Sequence, residues 1–132
     1  MSWASEFVGM PFVDGGRGPA AYDCWGLVRA VYAARLGIDL PSYGEISARD
    51  LVRVARAMRG GQDDGWRAVE DPSELDVVLM RPTSGGDITS HVGVFLAGGQ
   101  VLHTEPATGS LIMPVNHMYL SGRIRGYRRL AS

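Results

Sequence analysis

The feature that most constrains the fold is a change in hydrophobic pattern near the middle of the chain. From Asp23 to about Leu36, apolar residues recur at helical spacing and form one stripe. The second half instead holds five short runs typical of strands, at 75–81, 91–97, 100–104, 110–115 and 123–130. This order predicts an α+β fold, with N-terminal helices packed on an antiparallel sheet of about five strands.

Local signals give the expected ends of these elements. Asp23 is suited to cap the first helix, because its carboxylate accepts amide protons of the first turn, and Gly37 is suited to end it. Residues 2–8 predict a short helix, and residues 47–58 predict a second longer one. Gly98-Gly99 predicts a tight hairpin between two strands. The chain, 1–132, is expected to form a single domain.

Composition and charge exclude several classes of protein. The net charge of −1 gives no overall basic field, so a nucleic-acid partner is not expected. The chain starts without a signal peptide and has no apolar run of about 20 residues, so we expect synthesis in the cytoplasm and no membrane span. All 13 basic residues are arginine, which excludes lysine chemistry. The last four arginines, within 123–129, are interpreted as a solvated strand edge or a contact for an anionic partner.

The single cysteine, Cys24, lies in the first turn of the predicted helix. Helix N-terminal amides stabilise negative charge, so a thiol at this position is expected to have a lowered pKa and nucleophilic character. The alternative is an inert core cysteine on the apolar stripe.

Two of the three histidines, His91 and His103, fall on the two strands of the predicted hairpin. A nucleophilic thiol needs a base, and the base needs a partner that sets its tautomer, so this pair favours a catalytic arrangement over structural histidines. His117 lies in a predicted loop outside it. A zinc site of Cys24, His91, His103 and a carboxylate is the competing hypothesis, but the short ligand spacing of zinc motifs is missing, so no metal or cofactor is expected.

These residues lie in three stretches that resemble the NlpC-type cysteine peptidases, papain-like enzymes that cut bacterial cell-wall peptides. The stretches are PFVDGGRGPAAYDCWGLVRAVY, LDVVLM and SHVGVFLAGGQVLH, which together span about residues 9–105. The resemblance implies Cys24 as nucleophile, His91 as base and His103 as the residue that orients His91. It also implies that the Cys24 backbone amide contributes to the oxyanion hole.

The same resemblance implies a substrate pocket lined by Asp23 and Ser90, where a carboxylate suits a ligand with a free amino group. Two positions depart from the common family pattern: Phe12 stands where many members have Tyr, and Trp25 where many have Ser. The lost hydroxyls affect the expected substrate preference, and Trp25 is expected either to narrow the pocket or to pack inside.

The resemblance implies hydrolysis of amide bonds in peptidoglycan stem peptides, with the bond between D-Glu and a diamino acid as the expected target. The DCWGLV and GRGP stretches look most like versions from bacteriophage tails and phage-like particles. We therefore expect incorporation into a virion or particle tail, with other tail proteins as partners. The alternatives are an inactive tail assembly protein on the same fold, and an amidase or acyltransferase.

Overall fold

The computed structural model describes residues 3–13, 16, 18, 20–40, 66–81 and 91–130. This part of the chain combines one longer α-helix with a six-stranded sheet. The predicted helix at 47–58 lies outside the described residues. The elements are a 3₁₀ helix (Trp3–Phe7), α1 (Cys24–Leu36), β1 (Trp66–Val69), β2 (Val77–Met80), β3 (His91–Leu96), β4 (Gln100–Glu105), β5 (Gly109–Pro114), α2 (Met118–Ser121) and β6 (Ile124–Leu130).

The helix α1 forms where the sequence predicts it. Asp23 caps its start, with Oδ1 accepting a hydrogen bond from the Gly26 backbone N–H at 2.7 Å. Gly37 ends it in the left-handed conformation, at φ 66°, and donates its N–H to the Ala33 carbonyl. The cap residues therefore define where Cys24 is held, at the first position of the helix.

The sheet has the strand order β1-β6-β2-β3-β4-β5, and all neighbouring strands are antiparallel. The α+β class and all five predicted strands are confirmed, whereas β1 was missed because its four residues carry no clear alternation. The hairpin between β3 and β4 has a three-residue loop, Ala97 to Gly99, because Leu96 pairs with Gln100. Both loop glycines have positive φ, which favours glycine at these positions.

One expectation about the sheet is wrong. The arginine-rich segment at the C-terminus is not a strand edge, because β6 inserts between β1 and β2. Arg123, just before β6, is buried and forms an ion pair with Glu105 at 2.9 Å. Arg129 forms one with Asp76 at 2.8 Å. Both side chains therefore pair within the protein, although the Arg129 side chain remains 32% exposed.

Apolar residues fill both faces of the sheet. One cluster lies between α1 and the sheet, and the other covers the opposite face below α2. The central strands β2 and β3 are buried along their whole length, as expected for strands covered on both faces. No helix within the described ranges is long and apolar enough to cross a membrane. The packing of α1 on β3 and β4 brings the start of the helix to the strands that carry the two histidines.

Candidate active site

The thiol of Cys24 lies at the point where α1 meets β3. Its side chain is buried, and the backbone N–H of Val92, the residue after His91, interacts with it. The backbone amides of Cys24 and Trp25 also act on the sulfur. Asp23 uses other amides of the same turn, since it accepts from Gly26 through its side chain and from Leu27 through its carbonyl. The helix start therefore presents N–H groups to Cys24, an arrangement suited to bind developing negative charge.

The expectation that Cys24 has a lowered pKa is wrong. Burial raises the pKa of its thiol to about 12, and the negative charge of Asp23 acts in the same direction. The N–H groups of Val92, Trp25 and Cys24 itself lower the pKa, but they do not outweigh burial. In the resting protein, Cys24 is therefore a neutral thiol.

His91 and His103 form a buried hydrogen-bonded pair. His91 Nε2 and His103 Nδ1 are 3.0 Å apart, and the two rings meet edge to face. Gly93 allows β3 and β4 to approach closely here, because a Cβ added there would lie 2.9 Å from the Leu102 carbonyl oxygen and 3.1 Å from the Cβ of His103. The Nε2 atom of His103 has no hydrogen-bond partner among the described residues. Because Nε2 of His91 is engaged, Nδ1 is the atom left to accept a proton as a base.

Both imidazoles are neutral at pH 7. Burial, followed by the charges of His103 and Arg123, holds the pKa of His91 well below its usual range. Burial also lowers the pKa of His103 to about 4, although the carboxylate of Glu105 opposes this shift. The resting state thus holds a neutral thiol and a neutral imidazole pair, so nucleophilic attack by this thiol would require transfer of its proton to a base.

Three further residues surround the histidine pair, and sequence reasoning missed them. Glu105 Oε1 lies 3.5 Å from His91 Nε2 and 2.9 Å from Nη2 of Arg123. The hydroxyl of Tyr119 donates a hydrogen bond to Oε2 of the same carboxylate. The hairpin register held a signal for Glu105: continuing outward from the Leu96–Gln100 pair places Glu105 opposite His91.

The four expected substrate-contact residues fall in different environments. Asp23 is buried and caps α1. Trp25, the second residue of α1, is only 1% exposed and packs in the core between this helix and the sheet. This placement of Trp25 corresponds to the packing alternative. Phe12 is half-buried and forms a bridge with Tyr22, while Ser90 lies outside the described residues. Their roles in substrate binding stay predictions.

His91, His103 and Glu105 also offer ligand atoms within 4.8 Å of one another, as a metal site would. Cys24 does not belong to this group, contrary to the zinc hypothesis. The two ring nitrogens face each other at hydrogen-bond distance, and Arg123 places a positive charge on the only carboxylate of the group. A cation there would have to displace both interactions, so the group favours proton chemistry over metal binding.

The NlpC/P60 family matches residues 9–129 of the chain, a range that includes Cys24, His91 and His103. The chain belongs to the NlpC/P60 family. Its expected phage-tail subgroup stays a prediction.

Two curated relatives of this NlpC/P60 chain are named as peptidases. Gamma-D-glutamyl-L-lysine dipeptidyl-peptidase of Bacillus subtilis (strain 168) is 29% identical over 106 residues, 80% of this chain and 31% of that protein. Murein DD-endopeptidase MepS/Murein LD-carboxypeptidase of Escherichia coli (strain K12) is 26% identical over 133 residues, 100% of this chain and 62% of that protein. The chain therefore spans less than two thirds of either relative.

Solved structures confirm the NlpC/P60 fold. A family protein from Bacillus cereus ATCC 10987 superposes with a TM-score of 0.71 at 21% identity, over 98% of this chain and 38% of that one. RipD from Mycobacterium tuberculosis, a non-catalytic NlpC/p60 domain protein adapted to peptidoglycan binding, superposes with a TM-score of 0.59 at 21% identity, over 95% and 88%. The same fold thus also occurs in a protein described as non-catalytic.

Proposed function

We propose that this chain is a cysteine endopeptidase that hydrolyses amide bonds in peptidoglycan stem peptides, with the bond between D-Glu and a diamino acid as its target. The observation that carries the proposal is the His91–His103 pair, hydrogen-bonded at 3.0 Å, next to the backbone amide that contacts the Cys24 thiol. The names of the Bacillus subtilis and Escherichia coli relatives support this substrate class.

The reaction follows from the resting protonation states. As Cys24 Sγ attacks the substrate carbonyl, its proton passes to His91, and the carbonyl oxygen becomes an oxyanion that the amides of the helix start stabilise. His91 then gives the proton to the leaving amine, and the C–N bond breaks to leave a thioester on Cys24. A water molecule gives a proton to His91 and attacks the thioester, which releases the acid and restores the thiol.

A second candidate is a peptidoglycan-binding protein without turnover. The burial of the Cys24 thiol and its raised pKa favour it, since a resting thiolate is absent. RipD shows that the fold supports such a role in a family member. An amidase or acyltransferase would use the same residues on another bond or acceptor, so the products distinguish these activities.

Digestion of purified sacculi tests the proposal. Wild type, Cys24→Ala and His117→Ala are compared at equal concentration. His117→Ala is the control, because His117 is exposed and caps the short helix α2. We expect wild type and His117→Ala to release muropeptides with a new amino terminus at the diamino acid, as mass spectrometry would show. Release by Cys24→Ala at the wild-type rate would contradict the proposal. Binding of all three proteins to sacculi without release would instead favour the binding protein.

We also propose that the chain is made in the cytoplasm and acts as a component of a phage tail or phage-like particle. The DCWGLV and GRGP stretches support this role. Mass spectrometry of particles purified from a strain that encodes the chain should detect it together with tail proteins. Its presence only in the particle-free fraction would contradict this role.

A further inference from the structure

The carboxylate of Glu105 lies between two positively charged or proton-accepting groups inside the protein. Its Oε1 atom is 3.5 Å from His91 Nε2 and 2.9 Å from Arg123 Nη2. Both Glu105 and Arg123 are 8% exposed, so solvent screens their charges weakly. The carboxylate therefore acts on the histidine pair as well as on the arginine.

Several contacts hold this carboxylate in place. Tyr119 donates its hydroxyl to Oε2, and the guanidinium of Arg123 stacks on the Tyr119 ring at 5.1 Å. Arg123 is itself fixed, because its Nε donates to the Arg81 carbonyl at 3.0 Å and its own carbonyl accepts from the Arg81 N–H at 2.8 Å. Groups from β4, α2 and the segment before β6 thus fix the position of Glu105 against His91.

We propose that Glu105 is a positioning residue of this site: its negative charge stabilises the imidazolium that His91 becomes on taking the Cys24 proton, and Arg123 limits that stabilisation. The inference rests on the proposed function for its role in turnover. The proton moves from Cys24 Sγ to His91, no proton moves to Glu105, and the charge that appears on the imidazole faces a carboxylate already in position.

Charged and titratable groups lie around the His91–His103 pair on several elements. Glu105 comes from β4, Tyr119 from α2 and Arg123 from the segment before β6. Cys24, at the start of α1, contacts the backbone N–H of Val92, the residue after His91, and is flanked by Asp23. Arg123 lowers the pKa of both histidines, whereas Glu105 raises that of His103. Removing the two charges one at a time should therefore shift the pKa values of the histidine pair in opposite directions.

The test compares Glu105→Gln and Arg123→Met with wild type. Histidine NMR signals, followed against pH, should titrate about one pH unit lower in Glu105→Gln and about one unit higher in Arg123→Met. The acidic limb of the pH profile of kcat/KM should move in the same two directions. One pH unit corresponds to about tenfold in imidazolium stability, so kcat of Glu105→Gln should fall about tenfold while KM changes less than about twofold.

Asp76→Asn is the matched control, because Asp76 is also a buried carboxylate paired with an arginine, Arg129, but on another part of the sheet. It should leave the histidine titration and kcat unchanged, and Glu105→Asp should restore part of the activity. Shifts of the same sign in Glu105→Gln and Arg123→Met, or no shift in either folded variant, would overturn the proposal.

The titration separates this inference from the proposed function, because it needs no substrate. Opposite shifts without digestion of sacculi by wild type would refute the peptidase but keep the electrostatic role of Glu105. Digestion by wild type without these shifts would refute the electrostatic role of Glu105 but keep the peptidase. Should Glu105→Gln not fold, Glu105→Asp takes its place: its shorter, more distant carboxylate should lower the histidine titration, and an unchanged titration would overturn the proposal.

Discussion

Acid should destabilise this protein through the buried His103. In the folded protein the pKa of His103 is about 4, against its ordinary value of 6.5, mainly because burial disfavours the charged ring. Between these two pH values the unfolded chain binds a proton that the folded chain does not. The free energy of unfolding therefore falls as the pH is lowered through this window, by about 3 kcal/mol in total, since each pH unit is worth 1.36 kcal/mol. His91, whose pKa is also lowered, adds to the loss.

Urea unfolding followed by tryptophan fluorescence measures this loss. Wild type and His103→Gln are compared between about pH 7 and pH 4.5, because glutamine keeps a hydrogen-bonding side chain but does not titrate. The variant should lose about 2 to 3 kcal/mol less than wild type over this range, since carboxylates and His91 contribute to both proteins.

His117→Gln is the control for replacing a histidine as such, because His117 is exposed and its side chain accepts a hydrogen bond from the Tyr119 backbone N–H. It should lose as much stability in acid as wild type does. Equal acid losses in wild type and His103→Gln would refute the reasoning, because they would mean that His103 is protonated as easily in the folded as in the unfolded chain.

Three further predictions follow from packing and burial. Iodoacetamide should label Cys24 in the folded protein far more slowly than in urea, because a pKa of about 12 against 9.0 leaves roughly a thousandfold less thiolate; equal rates would contradict the burial. Gly26→Ala should lower the free energy of unfolding in urea by about 1 to 3 kcal/mol, because its Cβ would lie 2.1 Å from the Gly16 carbonyl oxygen; a gain would show that helix propensity outweighs this clash. Leu102→Ala should cost about 2 to 5 kcal/mol in the same assay, since Leu102 is fully buried against α1, and a loss below about 1 kcal/mol would contradict that packing.

The elements that the sequence predicts correctly are those with local signals. Asp23, Gly37 and the apolar stripe between them define α1, and the hairpin from β3 to β4 follows from two apolar runs around a glycine turn. The partners of β6 carry no local signal, because a strand near the C-terminus pairs with two strands that lie far away in the sequence. For this reason the sequence pattern predicts a strand edge for the C-terminal arginines, whereas two of them pair with buried carboxylates.

The residues of the candidate site also divide into those that local patterns predict and those that only the tertiary fold brings together. Chemistry limits the nucleophile to the single Cys24, and the hairpin brings His91 and His103 together, so their contact was predictable. Arg123 and Tyr119 join the site only through the tertiary fold. Glu105 lies between these cases, because the strand register places it opposite His91 once the loop length is known.

Burial and the helix N-terminus oppose each other at the Cys24 thiol. Their magnitudes explain why a prediction based on the helix start alone is wrong about the thiol pKa. A helix N-terminus stabilises a negative charge by about 0.3 to 2 kcal/mol. The shift of the thiol from 9.0 to about 12 corresponds to about 4 kcal/mol in the opposite direction, and its largest cause is burial. Burial depends on how α1 packs on β3, which no local pattern reveals. In the proposed mechanism, activation therefore comes with the reaction itself, when proton transfer to His91 creates two charges, one near the helix amides and one near the carboxylate of Glu105.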